Sequence, residues 1–242
     1  MQQLILNHYY KAHQRVFIFS PTVHTDISSW GPIKKHLEND LHIDLKKEPA
    51  FFDTFDAKAL REIIETQKKV AMRQKERYQS GDRSQRRLFS ILIVIDDFGD
   101  DEAVMRYSAN AQLIKHLYVA GRHHGISTWL SIQKLRFAQN AVRVNATGLL
   151  TFRTRNQKEY EALAEEASAL IDKETFRRVY DAATKEPFSF LFMKLNAREL
   201  NDIFYVRFEK RITFPDDDLS PVESHDDSGS SARSTRGRAL GR

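Results

Sequence analysis

Residues 90–97 read Ser-Ile-Leu-Ile-Val-Ile-Asp-Asp, five aliphatic side chains in a row closed by two carboxylates. A strand with one wet face alternates apolar and polar residues. An uninterrupted run must be covered on both faces, the condition of a central strand in a parallel sheet sandwiched by helices. The run is also the longest apolar stretch in the chain and falls far short of the roughly 20 residues a membrane-spanning helix needs. With 41% hydrophobic residues in a chain of 242, there is enough apolar mass for the core of one large domain or two small ones. The absence of cysteine excludes a disulfide framework, thiolate-ligated metal centres and thiol catalysis. Met1 to Lys11 lacks the zones of a secretory signal peptide, so a reducing compartment is expected, the cytoplasm or nucleus. The formal charge of +5 fits a polyanionic partner without demanding one.

Elements of both periodicities alternate along the chain, which predicts an α/β domain with a mainly parallel sheet. A short buried strand is expected at Arg15–Ser20, stopped by Pro21, and Trp30, Ile33 and Leu37 recur at helical spacing. Asp56 reads as the cap of a long helix from Ala57 with Leu60, Ile63, Ile64 and Val70 on one face, fading toward Ser80-Gly81. After the central strand come a helix over 101–121, a strand over 127–133, a helical segment over 138–144 and a strand over 147–154. Helices over 157–170 and 173–184 follow, then strands over 188–195 and 203–209, expected as an antiparallel pair at the sheet edge. Phe188, Phe190, Phe192, Phe204 and Phe208 are assigned to the sheet core. Residues 1–214 form the predicted domain, and the Asp-, Ser-, Gly- and Arg-rich residues 215–242 a disordered tail.

Asp96 and Asp97 stand at the carboxyl end of the central strand, where ligands of open α/β sheets bind, and two carboxylates there suit a hydrated Mg²⁺ and a polarised water. Adjacent strand residues face opposite ways, so the pair is expected to divide those roles. The strand over 127–133 ends in Gln133, an amide able to donate to a phosphate and orient a water. The plain alternatives are an acidic turn at Asp96-Asp97-Phe98-Gly99 and a polar helix start at Gln133.

The segment Leu117–Ser127 with Ser131-Ile132-Gln133-Lys134 resembles the stretch after Walker B in the genome-packaging ATPases of large DNA viruses, poxvirus-type members of the FtsK-HerA superfamily of P-loop NTPases. The resemblance extends over Arg15–Thr22 with Trp30, Ala141–Asn145, Leu149–Glu159, Glu186–Leu191 and Phe204–Lys210, most of residues 1–214. It implies a three-layer P-loop NTPase (RecA-like) core that uses ATP and Mg²⁺ to move double-stranded DNA into a capsid. Its partners would be DNA, further copies in a homo-oligomeric ring and capsid proteins, with no membrane, in the host cytoplasm or nucleus or with the virion. Asp96 would hold Mg²⁺, Asp97 would activate water and Gln133 would be the sensor. Arg143 is the candidate arginine acting on a neighbouring subunit's nucleotide, with Arg122, Arg153 and Arg155 as alternatives.

The departure is that no G-x-x-x-x-G-K-[ST] occurs, so the loop that cradles phosphates and supplies a lysine is not among these residues. Met1–Tyr10 resembles the helix that begins at that loop, and the resemblance implies that the first strand precedes Met1. A truncated gene model, a decayed copy and a shortened binding protein all fit, the first preferred. The vacated position is expected beside the Asp96 strand as an open apolar slot. Hydrolysis is then expected to be weak or absent. The alternative is a non-catalytic DNA-binding or ring-interacting protein that uses the basic segment from Lys58 to Arg87, where ten lysines and arginines face four acids. A weaker one is a metal-dependent nuclease using Asp96 and Asp97. His123-His124 reads as a helix C-terminal cap rather than a metal pair, because adjacent side chains diverge.

Overall fold

A computed structural model describes residues 1–82, 88–98 and 108–214. The expected tail, the start of the helix predicted over 101–121 and the basic residues Arg83, Arg86 and Arg87 lie outside the described residues.

The apolar run becomes β3 (Ile91–Asp96), flanked by β1 (Arg15–Phe19) and β4 (Ile126–Ser131), with the two-residue β2 (Phe51–Phe52) beyond β1. All three pairings in this order β2-β1-β3-β4 are parallel, with Phe19 level with Ile95 and Asp96 level with Ser131. Alternation along β3 sends its side chains into two separate layers. Ile91, Ile93 and Ile95 pack with Phe19, Leu60, Ile114 and Leu117, whereas Leu92 and Val94 pack with Ile18, Trp30, Ile33 and Leu37. The first layer is built by α2 (Ala57–Gln79) and α3 (Ala109–Ala120), the second by α1 (Ile27–Lys35) and the helical turn at Leu4–His8 through Ile5. Covered on both sides, Ile91–Ile95 are at most 2% exposed.

Local chemistry explains where the helices begin. The Asp56 carboxylate accepts from the backbone N–H groups of Lys58 and Ala59, both at 2.9 Å, and Ser108 caps α3 through Ala111 at 3.1 Å. The buried stripe of α2 is Leu60, Ile64, Gln67 and Ala71. Gln67 belongs there because its amide donates to the carbonyls of Phe89 and His124, at 3.0 and 2.7 Å, tying the entries of β3 and β4 to one helix. His123 and His124 end a 3₁₀ turn closed by Gly125 in the left-handed conformation (φ 69°). A Cβ at Gly125 would lie 2.9 Å from the Phe89 carbonyl oxygen. Gly125→Ala is therefore expected to cost about 1–2 kcal/mol for the conformation alone, read as a lowered thermal midpoint.

Residues 149–211 form a second sheet. Its order is β5 (Leu149–Phe152), β6 (Phe190–Met193), β7 (Phe204–Val206) and β8 (Lys210–Arg211), antiparallel throughout. Two helices, α5 (Gln157–Glu166) and α6 (Lys173–Ala183), cover one face, with Phe176, Val179, Leu191 and Phe204 at its centre. The short α4 (Asn140–Asn145) lies between the sheets in sequence. The predicted antiparallel pair is thus present, but it pairs with the 149–152 strand in its own sheet instead of edging the parallel one.

Two further expectations are corrected. Phe188 is not core: it is 94% exposed in the turn before β6, with φ 58°, while Phe204 is fully buried. An open slot beside the Asp96 strand is also not found, since β3 is paired on both edges. Among the described residues the edge strands are β2 and β4 of the parallel sheet and β5 and β8 of the antiparallel one, each of which pairs with one neighbour.

Candidate functional site

The carboxyl ends of β1, β3 and β4 bring together residues that are 76 and 36 positions apart in the chain. Asp96 is the last residue of β3 and half-buried. Because Phe19 is level with Ile95, Ser20, the first residue past β1, stands beside Asp96, and its hydroxyl donates to Asp96 Oδ2 at 3.3 Å. Ser20 is fully buried. Its Oγ also lies 3.1 Å from Thr22 Oγ1, which in turn accepts from the Trp30 indole N–H at 3.3 Å. A relay of side chains from α1 to β1 thereby fixes the Asp96 carboxylate.

Asp97 leaves the strand with φ 59°, a left-handed conformation that aspartate adopts more readily than most residues, at a cost of about 1–2 kcal/mol. Phe98 beside it is buried and meets Phe55 edge-on at 6.0 Å, so the turn is anchored inward on one side and presents Asp97 outward on the other. Its Oδ1 accepts from Gln133 Nε2 at 3.1 Å. Gln133 lies two residues past the end of β4, both side chains being exposed. Asp96 and Asp97 do take different partners, one toward β1 and one toward β4. The cause is the left-handed turn at Asp97 rather than simple strand alternation.

Backbone strain of this kind at a cluster of polar groups is a mark of functional sites. Asp96 accepts from a neutral hydroxyl, and among the described residues no lysine or arginine forms an ion pair with either carboxylate. A half-buried carboxylate without a cationic neighbour is a hard oxygen ligand suited to Mg²⁺, which takes one or two protein carboxylates and completes its shell with water and phosphate. No three His, Cys, Asp or Glu residues cluster at ligand distance among the described residues, so the further carboxylates that a nuclease centre needs are not seen there. No described helix is long and apolar enough to cross a membrane.

Arg143 is placed elsewhere. Its guanidinium Nη1 is paired with Glu166 of α5 in the same chain, and its Nε is buried without a hydrogen-bond partner. Among the described residues no hydrogen bond or ion pair joins it to Asp97 or Gln133, although it lines a cavity with Leu135 and Arg136. Arg122 lies in the 3₁₀ turn after α3, and Arg153 and Arg155 follow β5. Ser20, Thr22 and Trp30 were legible only as part of a strand and its following loop. Their role in holding Asp96 has no sequence signature, because it depends on the register of β1 against β3.

On the far side of β4, Tyr118 of α3 hydrogen-bonds the backbone of Leu130, and burial pushes its hydroxyl up to about 12. The contact clamps the strand that delivers Gln133.

No protein-family model and no curated protein matches the sequence. Solved structures do. The genome-packaging NTPase B204 of Sulfolobus turreted icosahedral virus 2, in complex with AMP, aligns with a TM-score of 0.50 and 17% identity, covering 84% of this chain and 89% of that one. EssC (ATPases 2 and 3) from Geobacillus thermodenitrificans aligns with a TM-score of 0.44 and 14% identity over 80% of this chain and 32% of that one. The protein therefore has the α/β fold of the genome-packaging NTPase B204, a parallel sheet between helices of the kind found in P-loop ATPases.

Proposed function

We propose that the protein is a DNA-translocating ATPase subunit of a viral genome-packaging motor, with Asp96, Asp97 and Gln133 as the metal-and-water half of its hydrolytic centre. The observation that carries this is the Gln133–Asp97 hydrogen bond beside a Ser20-held Asp96, at the carboxyl edge of a sheet with the B204 fold. Asp96 is the residue that would hold Mg²⁺, which when bound neutralises charge on the β- and γ-phosphates. Gln133 orients the attacking water through its carbonyl while its amide N–H holds Asp97. Asp97 accepts the proton that the water loses as it bonds to the γ-phosphorus and ADP departs. Its exposure gives the water access, and its strained backbone keeps it aimed outward. Arg143 can serve a neighbouring subunit only if its pair with Glu166 opens, so Arg122, Arg153 and Arg155 stand beside it as candidates. Double-stranded DNA, further copies in a ring and capsid proteins are the partners this reading carries.

These 242 residues include no Walker A loop, so the phosphate grip is weak and hydrolysis is slow or absent. Isothermal titration is expected to show no micromolar binding of Mg·ATP. Nuclear relaxation with Mn·ATP at millimolar concentration is expected to detect residual binding that Asp96→Asn removes. Micromolar affinity would contradict the weak grip, and indifference to Asp96→Asn would take Asp96 out of the site.

A second reading, DNA binding without catalysis, is favoured by one observation. The exposed side of α2 carries Lys58, Arg61, Lys69, Arg73 and Arg77. DNA affinity unaffected by nucleotide would support that reading over the first.

A further inference from the structure

The loop after β5 and the outer side of α6 border an open cavity of about 200 Å³ lined by Arg153, Arg155, Arg177, Tyr160, Tyr180 and Asp181, among others. Three arginines line it. Arg153 and Arg155 are two residues apart in a segment without helix, the spacing that puts side chains on one side of an extended backbone. Arg177 comes from the second turn of α6.

The loop is rigidly placed. The Tyr180 hydroxyl donates to the Phe152 carbonyl at 2.9 Å and accepts from the Thr154 N–H at 2.7 Å, so a buried phenol pins the backbone on either side of Arg153. Tyr160 stands edge-on to Tyr180 at 5.4 Å and forms the inner wall. Burial raises both phenols above their ordinary value, which keeps them neutral and hydrogen-bonding at neutral pH.

The charges on the cavity do not cancel. Its one acidic lining residue is Asp181, and among the described residues none of the three arginines forms an ion pair with it or with any other carboxylate. Arg15, Arg143 and Arg211, by contrast, are each paired, with Glu48, Glu166 and Asp202. The first turn of α5 is already capped by the Asn156 side chain, which accepts from the Lys158 N–H at 2.9 Å, so the donors on offer are guanidinium groups rather than that helix N–H. Arginine's planar fork of donors matches the tetrahedral oxygens of phosphate, and a neutral aromatic wall beside it tolerates a sugar or base.

From this arrangement we infer that Arg153, Arg155 and Arg177 form a binding site for a phosphate group, carried either by a nucleotide or by the backbone of DNA. The site shares no residue with the metal-and-water cluster and stands whether or not that cluster hydrolyses ATP.

The test uses the full chain in EDTA, so that metal held by Asp96 does not contribute. Binding of a fluorescent ATP analogue and of a labelled DNA duplex is followed by anisotropy for the wild type and for Arg153→Gln/Arg155→Gln/Arg177→Gln. The triple variant is expected to bind one of the probes about tenfold more weakly or worse, since it removes three charge-assisted contacts. Loss confined to the nucleotide identifies a nucleotide phosphate, and loss on the duplex with a shallower salt dependence identifies the DNA backbone. Unchanged affinity for both probes overturns the inference. The three side chains are exposed, so the circular dichroism melt should not move; if it does, Arg155→Gln alone carries the test, with a loss of about threefold expected for one contact. Arg211→Gln, an exposed arginine that is paired with Asp202 and does not line the cavity, serves as the charge control that leaves this binding intact, and the EDTA separates failure of this site from failure of the metal site.

Discussion

Phe19→Ala is expected to lower the stability of the fold by about 3–5 kcal/mol, a large share of the roughly 5–15 kcal/mol that holds most domains together. Phe19 is fully buried at the end of β1, stacked on Phe52 at 4.6 Å with ring planes 11° apart and tilted against Phe55 at 6.0 Å. Phe55 in turn meets Phe98, the residue that anchors the turn at Asp97. Truncation therefore leaves a cavity bounded by rigid rings that cannot collapse into it, the condition under which large-to-small changes cost most. Urea denaturation followed by circular dichroism measures the loss. Phe19→Leu, which keeps much of the volume, should cost markedly less. Equal costs for the two variants would show that ring stacking, not volume, is what the site requires, and a loss below about 1 kcal/mol would sink the cavity argument. Ser20 follows Phe19 directly, so in the alanine variant the Asp96 carboxylate should also lose its fixed donor.

The other large effect concerns DNA. Arg61, Lys69, Arg73 and Arg77 lie along one exposed side of α2, opposite the stripe of Leu60, Ile64, Gln67 and Ala71 that faces the sheet. Lys68 and Lys75 are occupied within the protein, by Glu65 at 2.8 Å and by the His123 carbonyl at 3.0 Å. If those four exposed cations each neutralise one phosphate, changing all of them to glutamine should reduce the slope of log affinity against log salt by about 3.6. Over a fourfold rise in salt, from about 50 to 200 mM, that difference amounts to about 10²-fold in affinity. A labelled duplex titrated at several salt concentrations reads it directly. An unchanged slope would remove α2 from the DNA surface and leave its charge as a solvated helix face. The substitutions keep long, helix-favouring side chains on the wet side of α2, so the fold should be unaffected.

Much of the architecture could be read before any coordinates, and the reason is locality. The run Ile91–Ile95 announces a two-sided central strand because burial on both faces is written into consecutive residues. The start of α2 at Ala57 follows from one carboxylate at Asp56 accepting from the N–H groups two and three residues on. Asp96, Asp97 and Gln133 could be picked out because strand ends in a parallel sheet share an edge, and Gln133 does meet Asp97. The resemblance to packaging ATPases agrees with the fold shared with B204.

Other features rest on pairings between distant residues, which no local pattern encodes. The separation of residues 149–211 into an antiparallel sheet depends on which strand Leu149–Phe152 chooses, and its apolar content suits either sheet. Phe188 carries the same side chain as buried Phe204, yet falls in a turn where the chain reverses and nothing covers it. Arg143 resembles a free arginine until Glu166, 23 residues on, is brought against it. Ser20 acquires its bond to Asp96, 76 residues away, only when β1 docks beside β3 in that register. Periodicity and capping act within a few residues and settle which elements exist. Register, ion pairing and the gathering of Arg153, Arg155 and Arg177 around one cavity come from packing those elements together, because only then do distant side chains compete for the same space and the same charge.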